Sequence, residues 1–127
     1  MQPTHVERGR YAEDIAAAYL LLSGYRILER NYRFHHLEVD VIARSENILA
    51  VVEVKYRRSR RRGGALFAVS AAKQRDLETA AVGYLASSGL RNVRVRFDVV
   101  ALDVAGDREL TVRHIPGAFP GSGRYRR

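Results

Sequence analysis

Two strongly apolar stretches dominate the chain, and both carry charges inside them. They are Glu38-Val39-Asp40-Val41-Ile42-Ala43 and Ile48-Leu49-Ala50-Val51-Val52-Glu53-Val54-Lys55. The β-branched content marks each as a strand buried on both faces. Glu46-Asn47 is the polar break between them, so the pair reads as a hairpin turning there. Opposed residues then number to a constant, which sets Asp40 against Glu53 and Glu38 against Lys55. Directly opposed side chains have Cβ atoms about 4.5–5.5 Å apart. Two carboxylates that close, in poorly solvated surroundings, repel each other and raise one pKa. Stability alone gives no reason to place them so.

A divalent cation removes that conflict. Mg²⁺ or Mn²⁺ takes oxygen ligands from one or two carboxylates and keeps its other sites for water and phosphate. Lys55 shares the face of Glu53, about 6.6–6.8 Å further along the strand. There it can orient or deprotonate a water and offset charge building on a phosphate. Asp40, Glu53 and Lys55 are therefore the candidate catalytic residues for metal-dependent phosphodiester hydrolysis. The competing explanation is a buried ion-pair ladder, Glu38 to Lys55 and Asp40 to an arginine, although buried ion pairs are a poor source of stability.

The charge distribution points the same way. Lys plus Arg number 22 against 14 Asp plus Glu. Six of those cations fall between Lys55 and Gly64 with no acid among them, and three more are Arg124, Arg126 and Arg127. Without these nine, 13 cations face 14 acids, so the body of the chain is close to neutral. Localised positive charge is the footprint of a polyanion binder. Arg57, Arg58, Arg60, Arg61 and Arg62, joined by Lys73 early in a later helix, are the candidate nucleic-acid contacts. Residues Arg57 to Arg62 are expected to form a mobile loop.

The rest of the chain frames a single α/β domain. A helix runs from Gly9 to Ser23 and, being apolar nearly all round in its second half, should be largely buried. Strands follow over Tyr25 to Phe34, Glu38 to Arg44 and Ile48 to Tyr56. Ser70 is a plausible N-cap for a second helix from Ala71 to about Leu85. Val93 to Leu102 alternates as a strand, and Leu110 to Ile115 closes the order α-β-β-β-α-β-β. The domain is assigned to residues 1–115, with 116–127 a flexible basic tail. Asp98, between arginines, reads as a structural ion pair. With no cysteine there are no disulfides or thiolate metal sites. No stretch is long enough to span a bilayer and no signal-peptide layout is evident, so a soluble cytoplasmic protein is expected.

Five blocks in order resemble the YraN-like family of uncharacterised bacterial proteins. They are Gly9-x-x-x-Glu13, then Gly24-Tyr25-x-Ile27-Leu28-x-x-Asn31-Tyr32-Arg33, then Glu38 to Ala43, Val52-Glu53-Val54-Lys55-x-Arg57, and Arg96-Phe97-Asp98-Val99-Val100. The resemblance spans about Arg8 to Leu102. That family is similar to restriction-endonuclease-like nucleases, the PD-(D/E)XK superfamily, and most to archaeal Holliday-junction resolvases. It implies a restriction-endonuclease-like core, a central mixed sheet of four to five strands flanked by two helices. It also implies that Asp40, Glu53 and Lys55 match the nuclease core, that Glu13 reaches the metal from the first helix, and that the Val54 carbonyl is a further ligand. The implied activity is a Mg²⁺- or Mn²⁺-dependent endonuclease acting on DNA, including branched or junction DNA. A homodimer follows by the same analogy. The sequence departs from the family at Leu37 and Ala12, where glycine is usual, and at Val39, where the superfamily name has proline. The alternative activity is nucleic-acid binding without cleavage on the same fold.

Overall fold

The computed structural model describes residues 5–59, 68–106 and 109–123. Helix α1 (His5–Leu22) is followed by β1 (Arg26–Phe34), β2 (Leu37–Ser45), β3 (Ile48–Ser59), α2 (Ala71–Ser88), β4 (Arg94–Ala105) and β5 (Glu109–Phe119). The strands form one sheet in the order β1-β2-β3-β4-β5. Only β3 and β4 run parallel, linked by the crossover that contains α2; the other neighbours are antiparallel. This α/β architecture and element order are those read from the sequence.

The β2–β3 hairpin turns at the expected place. Glu46 adopts a left-handed φ of 53°, and Ser45↔Ile48, Ala43↔Ala50 and Val41↔Val52 are opposed. Pairing ends at Val41↔Val52, immediately before Asp40 and Glu53. Strict alternation also breaks here. Val39 and Ile42 pack into one core cluster, while Val41 and Ala43 pack into the other. On β1, Asn31 lies between the paired residues Arg30 and Tyr32, so it comes opposite Asp40, and its φ is 53°. The sheet is irregular at this acid.

Each helix covers one face. Leu77, Ala80, Ala81, Tyr84 and Leu85 of α2 pack on Ile42, Leu49, Val51 and Phe97. Gly83 allows close approach, since a methyl there would collide with the Phe34 ring. Ser70 caps α2 by accepting from the Lys73 N–H, and Gly89 closes it in a left-handed conformation. On the other face Ala12, Ala16 and Leu20 of α1 lie on Val41, Ala43, Ala50, Val52, Val100 and Leu102.

Helix α1 is less buried than its composition suggests. Its small alanines face the sheet, and nothing among the described residues covers its far side. Leu22 is 88% exposed and Tyr11 56%. The first residues of the segment expected as a tail belong to a strand. β5 continues through Pro116 to Phe119, past the boundary drawn at residue 115. An edge strand tolerates proline because one side of its backbone needs no partner. Phe119 then stacks on Phe97 at 4.8 Å, and the Ser122 backbone N–H and hydroxyl donate to the buried Glu78 carboxylate at 2.5 and 2.8 Å. Among the described residues no helix is long and apolar enough to cross a membrane.

Candidate active site

Where β2 and β3 part, side chains replace the missing backbone ladder. Asp40 Oδ2 accepts the Val54 N–H at 2.7 Å. Glu53, on the strand residue before, is buried. Burial pushes its carboxyl up to about 7, and a hydrogen bond and like charge from Asp40 push it the same way. Lys73 and then Lys55 oppose the shift. The two carboxyls thus interact just past the last paired residues, and the Glu53 carboxyl is the one raised.

Two further groups approach the pair. Glu13, half-buried on α1, is raised by burial and next by the charge of Asp40, with a smaller contribution from Glu38; a hydrogen bond with Asn31 lowers it. The first helix therefore faces the acids. From the opposite face, Lys73 Nζ of α2 lies 3.5 Å from Glu53 Oε2. Lys73 is thus part of the carboxylate cluster rather than only an outlying phosphate contact. Its place in the first turn of α2 was visible in the sequence, but not the direction from which the crossover returns it.

The ladder between Glu38 and Lys55 does not form. Glu38 pairs with Arg33 across β1–β2 at 3.6 Å. The β2–β3 pairing has ended before these residues, which leaves Lys55 beside the acids and out of an ion pair among the described residues.

The cationic segment divides in two. Strand β3 extends to Ser59, so Arg57 and Arg58 sit on a strand and not in a mobile loop. Arg57 opposes Asp103 in the parallel register, and its guanidinium lies 3.7 Å from that carboxylate. Arg58 is exposed. Arg60, Arg61 and Arg62, and the terminal Arg124, Arg126 and Arg127, lie outside the described residues.

Asp98 is the structural ion pair expected, in a larger network. Arg96 donates to both of its oxygens at 2.8 Å, His114 Nε2 lies 2.8 Å away, and the Gly117 N–H donates at 3.0 Å. Arg96 also donates to the Tyr25 hydroxyl at 2.6 Å.

The donor set decides which ion the acids suit. The side chains that meet here are carboxylates, Asp40 and Glu53, with Glu13 behind them. Among the described residues no three acidic or imidazole groups close on one point. Two carboxylates are the number a small hard cation takes while it leaves its other positions open to water and phosphate. The cluster fits Mg²⁺ or Mn²⁺.

The sequence profile of the Uncharacterised protein family UPF0102 matches residues 12–102. A UPF0102 protein of Chlorobium chlorochromatii is 47% identical over 118 residues, covering 89% of this chain and 91% of that one. One of Syntrophotalea carbinolica is 48% identical over 115 residues, covering 91% and 93%. Among solved structures, SfsA of Pyrococcus furiosus in complex with Ca²⁺ superposes with a TM-score of 0.39 at 16% identity. That match covers 84% of this chain and 62% of SfsA.

Proposed function

The chain belongs to the UPF0102, or YraN-like, family, and on that footing we propose that it is a Mg²⁺- or Mn²⁺-dependent endonuclease acting on DNA. The observation that carries the reading is the contact between the Asp40 and Glu53 carboxyls, with Glu53 pushed up to about 7. Such a contact is costly unless a cation is shared, and shared carboxylates are how phosphodiester-cleaving sites hold Mg²⁺.

Asp40 and Glu53 would hold the ion, with the Val54 carbonyl and Glu13 completing or relaying to its shell. Bound there, the cation supplies Lewis acidity toward the phosphodiester and activation of water. The protein's own groups do the rest. Lys55 orients a water, and its charge offsets negative charge gathering on the phosphate. The Val54 N–H fixes the Asp40 carboxylate by donating to its Oδ2. The arginines between residues 57 and 62 supply phosphate attraction, with Arg58 exposed beside the site.

The test is incubation with branched and linear DNA in the presence of Mg²⁺, Mn²⁺ or EDTA. Metal-dependent strand cleavage, lost in EDTA and in Glu53→Gln, is expected. Salt-sensitive binding that ignores metal, with no cleavage of any form, would instead make this a binding protein on a nuclease-like scaffold.

A further inference from the structure

Lys73 occupies an odd place for a lysine. It is the third residue of α2, in the first turn, where the helix dipole favours acids over cations. That turn contains no acid. Its backbone N–H donates to the Ser70 cap, and its side chain extends to the neighbouring cluster. Helix stability does not account for this cation; the carboxylate it reaches does. Nζ stands 3.5 Å from Glu53 Oε2, beyond ordinary hydrogen-bond length, and the Lys73 side chain is 34% exposed. It is a loose partner at the mouth of the cluster, able to leave.

Lys55 cannot play the same part. It lies on β3, the strand that carries Glu53 itself, and no ion pair ties it to Glu53 among the described residues. Lys73 comes from a different element, α2, and reaches Glu53 from outside its strand. It is also the larger of the two cationic influences on Glu53. A divalent ion shared by Asp40 and Glu53 would neutralise the same charge that Lys73 neutralises, and would repel its ammonium.

We propose that Lys73 is a stand-in counter-ion for Glu53, displaced when metal binds and then handed to a phosphate of the nucleic acid. This rests on the metal-site reading above. Its consequence is linkage. Metal binding releases a cation for phosphate, phosphate binding draws that cation off Glu53, and each ligand therefore strengthens the other by the same factor.

Calorimetric titration of Mn²⁺ into the full chain, wild type against Lys73→Met and Lys73→Arg, tests it without any turnover. Lys73→Met should bind Mn²⁺ more tightly than wild type, because the competing cation is gone, and Lys73→Arg should stay close to wild type. Anisotropy with a phosphorothioate duplex supplies the second half. Mn²⁺ should raise wild-type affinity for that duplex by about fivefold or more, and should do so markedly less in Lys73→Met. Equal Mn²⁺ affinity in wild type and Lys73→Met, or an undiminished Mn²⁺ effect on duplex binding, would overturn the exchange while leaving the metal site intact. If neither protein binds Mn²⁺, the metal-site reading fails and the exchange falls with it.

Discussion

The Asp40 carboxylate takes the Val54 N–H at 2.7 Å, one residue beyond the last β2–β3 pair. It thereby acts as a backbone substitute and as half of an acid pair at once. These roles can be separated. Asp40→Asn keeps an acceptor oxygen for Val54 but removes the charge. The variant should fold, and the Glu53 carboxyl should move down from about 7, since Asp40 contributes to its elevation after burial does. Side-chain carboxyl NMR across pH measures this; a Glu53 midpoint that stays put would mean the two acids do not interact.

The same pair sets a pH dependence of stability. A carboxyl whose folded pKa is raised binds its proton more tightly folded than unfolded. Its contribution is complete below the unfolded value and is lost as pH rises through the folded one. For Glu53 that window runs from 4.5 to about 7. In EDTA, stability should fall across it by an amount on the order of 3 kcal/mol. Added Mg²⁺ should restore most of the loss at the alkaline end. Urea midpoints at several pH values decide the matter, and a flat profile in EDTA would remove the basis for a strained acid pair.

Lys55 is expected to matter for turnover and little for binding. Lys55→Ala should leave DNA affinity within a few fold, while metal-dependent cleavage drops by about 10²–10³, the usual worth of a group aimed where charge develops in the transition state. Gel assays of binding and cleavage on one preparation compare the two. A loss of affinity as large as the loss of rate would reassign Lys55 to phosphate binding.

Asp98 forecasts the opposite behaviour from Glu53. Burial alone would raise it, but hydrogen bonds from His114, Arg96 and Gly117 outweigh that and hold it below the usual carboxylate range. Its stabilisation is present above the unfolded pKa and disappears as pH falls through the folded one. Asp98→Ala leaves Arg96 and His114 facing an emptied buried site, and should cost about 3–5 kcal/mol. Thermal melts at neutral pH measure this directly, and a loss under 1 kcal/mol would show that the network is ornamental.

Gly83 tests the packing of α2. Gly83→Ala gains helix propensity yet drives a methyl into the Phe34 ring. Overpacking should win, with a net loss of about 1–3 kcal/mol. The companion Phe34→Leu should recover part of it. A Gly83→Ala protein more stable than wild type would show that the Phe34 ring yields at no cost.

The hairpin was legible because two signals agree. Glu46-Asn47 offers the one polar break, and the β-branched runs on either side fix the alternation, so Asp40 and Glu53 could be opposed from the sequence alone. The break of alternation beside Asp40 could not, because it depends on the left-handed Asn31 of β1. Lys73 was legible as a helix-start cation, whereas its meeting with Glu53 depends on how the crossover brings α2 back over β3. Arg57 read as loop because its run of neighbours is cationic; the partner that keeps it on a strand, Asp103, arrives only with the parallel register of β4. Helix α1 read as buried because composition cannot say which apolar face meets the sheet, and its alanine stripe does. The tail was drawn from residue 116, although on a rim strand Pro116 does not end the strand.

That proline has a further effect. The sheet has two rims, β1 and β5. On β5, Pro116 offers no donor and Gly117 turns left-handed. On β1, a register shift between Ile27 and Glu29 and the exposed Arg26, Arg30 and Arg33 interrupt the line. Interrupted and charged rims discourage strand addition from another chain. Two copies of this protein are thereby steered away from sharing a continuous sheet, and any pairing between them falls to side-chain surfaces such as the outward tyrosines and leucines of α1.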